Sequence, residues 1–381
     1  MKKFFYSILF VAVVFSARQA SAQGCVAVRN LTNGTSPGGN PAKTWQFSMN
    51  YRYFKSYKHF VGTEEQKHRV ENGTEVINHD NSVILGASYT LNPKWVFSVS
   101  VPLLYIDRSS LYEHYGNTPA KATTPNPRFH TQSQGLGDVR LVADYALLRT
   151  GKLNLFAGAG VKLPTGNYNY KDQFHKRGKQ GQDSLVTRVV DQSIQPGDGG
   201  FGIVTEFDAS YMISNSLTGY ATGMYLLNPR NTNGIERSST LTNDANGNPI
   251  PKSNQFSVAD QYFLRMGVRY KFLKSFEFGL GGRIECVTSH DLIGREDGFR
   301  RPGYIISADP SIVYGTGNHV FALNVPVAIV RNRTRNTIDI ARGMDLNPSS
   351  ERYGKPIHGD AAFADYLISV SYAYKLTKKV F

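Results

Sequence analysis

Residues 45–53 read Trp45-Gln46-Phe47-Ser48-Met49-Asn50-Tyr51-Arg52-Tyr53, apolar or aromatic at every odd position and polar at every even one. Successive side chains of an extended chain point to opposite faces, so this stretch is a strand with one oily and one wet face. The period returns along the chain. Leu153, Leu155, Ala157, Ala159, Val161 and Leu163 alternate with Asn154, Phe156, Gly158, Gly160 and Lys162. Tyr262, Leu264, Met266, Val268 and Tyr270 alternate with Gln261, Phe263, Arg265, Gly267 and Arg269. Tyr366, Ile368, Val370, Tyr372 and Tyr374 close the series against Leu367, Ser369, Ser371, Ala373 and Lys375. Such runs are about twice the usual globular strand of roughly five or six residues. A tilted strand needs about nine to eleven to cross a bilayer. Length decides for the membrane.

Connections alternate in kind. Tight turns fall at Leu91–Lys94, Arg149–Gly151, Ser214–Ser216, Leu273–Ser275 and Gly315–Gly317, while long polar stretches cover 59–79, 107–134, 165–199, 229–258, 289–302 and 332–361. This predicts an all-β transmembrane antiparallel barrel of about twelve strands over 44–381, with short periplasmic turns and long external loops. Aromatics near strand ends, such as Trp95, Phe97, Phe276, Phe278 and Tyr314, fit interfacial girdles. A soluble sandwich would have shorter strands and no such asymmetry of turns. There is no second domain.

Lys2 and Lys3, the apolar run Phe4–Phe15 and the small residues Ala20-Ser21-Ala22 read as an export signal over 1–22, with 23–43 a periplasmic lead segment. Cys25 lacks the aliphatic residue three places earlier that lipidation requires. Removing Lys2, Lys3 and Arg18 leaves 40 basic residues against 29 acidic, an excess of +11. Export excludes nucleic acid as the partner of that charge. The expected partners are outer-membrane lipid, lipopolysaccharide phosphates and a small solute. Cys286 falls near the outer end of a strand, so no bond to a periplasmic Cys25 is expected.

Gly135-Leu136-Gly137-Asp138, leading into an alternating strand, is followed by Gly160-Val161-Lys162-Leu163-Pro164-Thr165-Gly166. The pair resembles the family of outer-membrane proteins labelled for the meta-pathway of phenol degradation. The resemblance implies a barrel that passes small, aromatic or hydrophobic molecules. It brings no catalytic residues.

Other constellations carry less. Ser289, His290 and Asp291 are hydrolase residue types, but neighbours on a strand face opposite ways and cannot converge. The nine histidines show no metal spacing. Gly279–Gly282 and Gly158–Gly160 precede no helix, so no dinucleotide site is expected and no cofactor is implied.

By strand parity the inward face carries Arg52, Arg140, Lys162, Arg265, Arg269, Lys271 and Arg283 with Asp138, Asp144, Glu206, Asp208, Glu277, Glu285 and Asp309. These either brace the wall or filter a narrow polar path. A hairpin centred near residue 150 sets Asp138 opposite Lys162 and Arg140 opposite Gly160. Avoidance of like charges favours Arg265 opposite Glu285 over Arg265 opposite Arg283. The expected function is a passive outer-membrane channel for small solutes. The alternatives are a rim hydrolase or lipid-modifying enzyme, and a structural or surface-recognition barrel.

Overall fold

The computed structural model describes residues 40–111, 113–114, 128–177, 182–350 and 352–377. The export signal, Cys25, most of the 23–43 segment and the terminal Phe381 lie outside the described residues.

Among the described residues, twelve long strands form one antiparallel barrel. They are β1 (Thr44–Val61), β2 (Ile77–Thr90), β3 (Trp95–Ser110), β4 (Phe129–Leu136 and Val139–Arg149), β5 (Leu153–Leu163) and β6 (Gly202–Met212). Then follow β7 (Leu217–Leu227), β8 (Gln261–Leu273), β9 (Phe276–Val287), β10 (Gly303–Ala308 and Ser311–Thr316), β11 (His319–Asn324 and Val327–Arg333) and β12 (Ala361–Thr377). Each pairs with its sequence neighbour, and β12 returns to β1 from Thr44↔Thr377 to Phe60↔Ala361. Closure leaves no edge, so the backbone polar groups of the wall are paired along the ladders and the wall can face lipid.

The side-chain distribution is that of a soluble protein turned inside out. Trp45, Phe47, Met49 and Tyr51 stand outward and exposed, while Gln46, Asn50 and Arg52 between them are buried. Aromatics gather at the tight-turn end, where Trp45 stacks on Phe47 at 6.0 Å, Trp95 on Phe97 at 6.0 Å, and Phe276 lies 4.6 Å from Tyr314. Such a girdle belongs at a headgroup level. Both ends of the described chain lie there too.

Three interruptions break the wall, at Gly137–Asp138, Asp309–Pro310 and Val325–Pro326. Proline has no N–H to give a ladder, so the two prolines end their half-strands. Pro164 likewise follows the last residue of β5.

Two registers differ from expectation. In the β4–β5 hairpin, Arg140 pairs with Lys162 and Val142 with Gly160, because the turn is centred beyond Thr150, with Arg149 facing Asn154; a bulge between Ala146 and Leu148 on β4 takes back one residue of that offset. Asp138 falls at the break and leaves the ladder, though it keeps Lys162 at 3.8 Å. In the β8–β9 hairpin, Arg265 faces Arg283 directly, because Leu273 faces Phe276 at the turn and a bulge between Lys271 and Leu273 adds one residue on β8. The like charges are tolerated because Asp309, at the β10 break, accepts from Arg265 Nε and lies 3.8 Å from Arg283 Nε. Simple hairpin arithmetic misses bulges, and a counter-charge can come from a third strand.

Candidate functional site

The inward side chains of the barrel build the site, and they sort into separate groups. Arg52 on β1 reaches Glu285 on β9 at 3.7 Å. Three strands lie between them, so this pair crosses the lumen. Glu285 also lies 3.7 Å from Arg283, which donates to Asn324 at 3.0 Å. With Asp309 and Arg265 these form a continuous buried network. A second group joins Lys162 to Asp138 and Asp198, and Asp138 accepts the Gly166 amide at 3.0 Å and the Asp198 amide at 3.1 Å. Arg140 lies 3.6 Å from Glu206 and rests on the Met224 sulfur. Asp208 accepts from Thr222 at 3.0 Å. Arg269 lies over the Tyr220 ring, its guanidinium carbon 5.1 Å from the centroid. Glu277 stands apart, facing Lys271 across the ladder near the turn.

The strands also aim apolar groups inward. Val142, Val204, Met224, Leu226 and Phe263 form one buried cluster inside the barrel. They share parity with Arg140, Glu206 and Arg265, so the inward face is mixed rather than polar throughout. That signal was readable in the sequence, where Phe263 already stood on the polar face.

Among the described residues, two cavities lie within the lumen. The lower, toward the tight turns, holds about 150 Å³ and is lined by Gln46, Ser48, Asp144, Asp208, Tyr220, Arg265 and Arg269 among others. The upper holds about 110 Å³ and is lined by Asp138, Lys162, Gln192, Gln195, Asp198 and Arg301 among others. Arg140 and Met224 line both.

The upper cavity is roofed by external loops that fold back into the mouth, which the turn-and-loop reading did not anticipate. After a hairpin of Lys171–Arg177 with Asp183–Val189, the chain turns inward through a 3-10 turn, Gln192–Ile194. Val190 and Ile194 are fully buried against Ile106. Asp191 receives both guanidinium nitrogens of Arg301, at 2.6 and 2.7 Å, and lies 3.7 Å from Arg108. Burial raises this carboxyl, but Arg108 and Arg301 outweigh it and hold it well below the usual range. A second inward stretch, Phe256–Asp260, is buried, and Gln192 donates to the Ser257 carbonyl at 2.7 Å. The apolar residues of these loops, Val190, Ile194, Phe256 and Val258, were the available sign. Solvated loops rarely bury such residues.

Ser289, His290 and Asp291 do not converge. Ser289 Oγ lies 2.9 Å from the Thr334 hydroxyl, His290 is exposed 3.4 Å from Glu296, and Asp291 is held by both nitrogens of Arg300. Among the described residues no cluster of His, Cys, Asp or Glu has metal-binding geometry. Cys286 is a free, fully buried thiol.

No family model matches the sequence, and no curated protein matches it. Solved structures do. The COG4313 outer membrane channel from Pseudomonas putida F1 aligns at a TM-score of 0.51 and 12% identity, covering 90% of this chain and 100% of that one. A Pseudomonas aeruginosa FadL homologue follows at a TM-score of 0.40 and 11% identity, covering 87% and 90%. The CymD monoaromatic hydrocarbon channel stands at 0.39 and 10%, covering 90% of each. At these identities the likeness is one of fold. The chain has the fold of an outer-membrane β-barrel.

Proposed function

We propose that this protein is a passive channel carrying small solutes, single-ring aromatic compounds among them, across the outer membrane. The observation that supports it best is the pair of neighbouring lumen cavities, which share Arg140 and Met224 in their walls. A barrel built for support alone would fill its interior with side chains. The mixed lining of apolar and charged groups suits solutes with an oily body and a polar end. The Gly135–Asp138 and Gly160–Gly166 motifs support membership of the meta-pathway outer-membrane family. In this reading 1–22 is the export signal, 23–43 a periplasmic lead and 44–381 the barrel. Its external face meets lipopolysaccharide. Hydrolysis is disfavoured because Ser289, His290 and Asp291 each engage a different partner.

The inward-charged groups then act as braces and filter together. The Arg52–Glu285 pair narrows the path, and the Asp191–Arg301 clamp holds the outer roof closed. Planar-bilayer recording of the purified barrel tests this. Stepwise currents are expected, with longer or more frequent openings in Arg301→Gln. A correctly folded barrel that is silent in both forms, or that cleaves lipid, would overturn the channel.

A further inference from the structure

Three arginines, Arg140, Arg265 and Arg269, and three carboxylates, Asp144, Glu206 and Asp208, line the lower cavity, and none of the three carboxylates lies within ion-pair distance of Arg269. Among the described residues Arg269 makes no ion pair and no side-chain hydrogen bond, and its Nε is buried with no acceptor. The other cations lining this cavity are matched, Arg265 by Asp309 and Arg140 by Glu206. Arg265 and Arg269 flank one ring, with guanidinium carbons 5.2 and 5.1 Å from the Tyr220 centroid. Contact with a ring stabilises a guanidinium without neutralising it. The Tyr220 hydroxyl is a second orphan, buried and without a partner. Two donors therefore lie unsatisfied beside one cavity, and buried donors are rarely left so unless something outside the chain completes them.

We propose that the lower cavity binds a small organic anion by its carboxylate, with Arg269 as the charged donor and Tyr220 as a second donor. A planar guanidinium and a carboxylate match in a fork of two charge-assisted hydrogen bonds, which chloride or a neutral alcohol cannot form. Phe263, Met224, Val96 and Ala322 line the same cavity and receive the apolar body. A cavity of about 150 Å³ accepts one benzene ring in a protein interior. The ligand class is thus a single-ring carboxylate. The inference names a solute for the channel proposed above and rests on that reading for its physiological meaning, though the binding itself does not.

Calorimetric titration of the detergent-purified full chain with benzoate and with benzyl alcohol tests it. Benzoate is expected to bind more tightly than the alcohol. Its affinity should fall about tenfold or more in Arg269→Gln, by a smaller factor in Arg269→Lys, which keeps the charge and loses the fork, and several-fold in Tyr220→Phe. Alcohol binding should not respond to Arg269→Gln. Wild-type protein that does not bind benzoate, equal affinities for the two ligands, or benzoate binding indifferent to both Arg269→Gln and Tyr220→Phe would overturn it. If Arg269→Gln does not fold, Tyr220→Phe and the comparison of ligands decide. Bilayer recording separates the two claims. A conducting barrel without benzoate binding removes the anion site and keeps the channel, and a silent barrel that binds benzoate does the reverse.

Discussion

His114 shows how one side chain can make the outer cap sensitive to pH. Its Nδ1 accepts the His175 amide at 3.0 Å, and its ring lies 5.4 Å from Phe174 and 5.5 Å from Phe129. Burial, with Lys176 and His175 nearby, pushes its pKa down to about 4 from an ordinary 6.5. The fold holds the neutral ring, so the unfolded chain binds the extra proton first. The contribution of this contact is complete above about pH 6.5 and declines as pH falls toward 4. Hydrogen exchange over 171–177, corrected for intrinsic rate, should therefore quicken between pH 7.5 and 5. His114→Phe keeps the ring stacking and should abolish that pH response; an equal response in both proteins would refute it.

At the scale of strands and hairpins, bulges set the registers and buried charge secures them. Asp309 has no solvent exposure and serves Arg265 and Arg283 across the β8–β9 ladder. Removing one partner from a buried network costs about 3–5 kcal/mol, because the remaining charges keep their desolvation penalty. Asp309→Ala should lower the stability of the refolded barrel by about that amount in urea. Adding Arg283→Met should recover part of it. A loss below about 1 kcal/mol would show that the pairing does not hold the register. Elsewhere backbones approach too closely for any side chain. A Cβ on Gly160 would sit 2.1 Å from the Leu141 carbonyl oxygen. Gly160→Val should fail to reach the compact form that migrates faster on unheated gels, whereas wild type reaches it.

For the whole molecule, closure and sidedness go together. An even number of strands returns the chain to its starting side, so both termini belong with the tight turns, in the periplasm. Trypsin distinguishes the two ends, since Arg295 and Arg342 are exposed on the loop side and Lys94, Lys152 and Lys274 on the turn side. Added to intact cells, trypsin should cut at Arg295 or Arg342 and spare the three turn lysines until the outer membrane is permeabilised. Cleavage after Lys94 from outside would invert the barrel. The roof also changes which loops are accessible: the buried stretch around Val190–Gln195 should resist protease although it lies in a long connection.

The sequence by itself determined the architecture. Alternation such as Trp45 to Tyr53 fixes which face meets lipid, strand length selects a membrane over a soluble core, and short turns against long loops fix topology and strand number. These signals are local, carried by spacing that any segment shows alone. Parity also assigned the charges from Arg52 to Glu285 to one face of their strands, because parity needs no knowledge of neighbours. Which of those charges meet was settled only by tertiary structure. Arg52 finds Glu285 across the lumen, Asp309 reaches Arg265 from another strand, and Asp198 joins Lys162 from a loop. Each contact depends on bulges that move a register by a residue and on loops that fold inward. Both are small free-energy choices resolved by packing and burial across the closed barrel, and no periodicity in the chain records them.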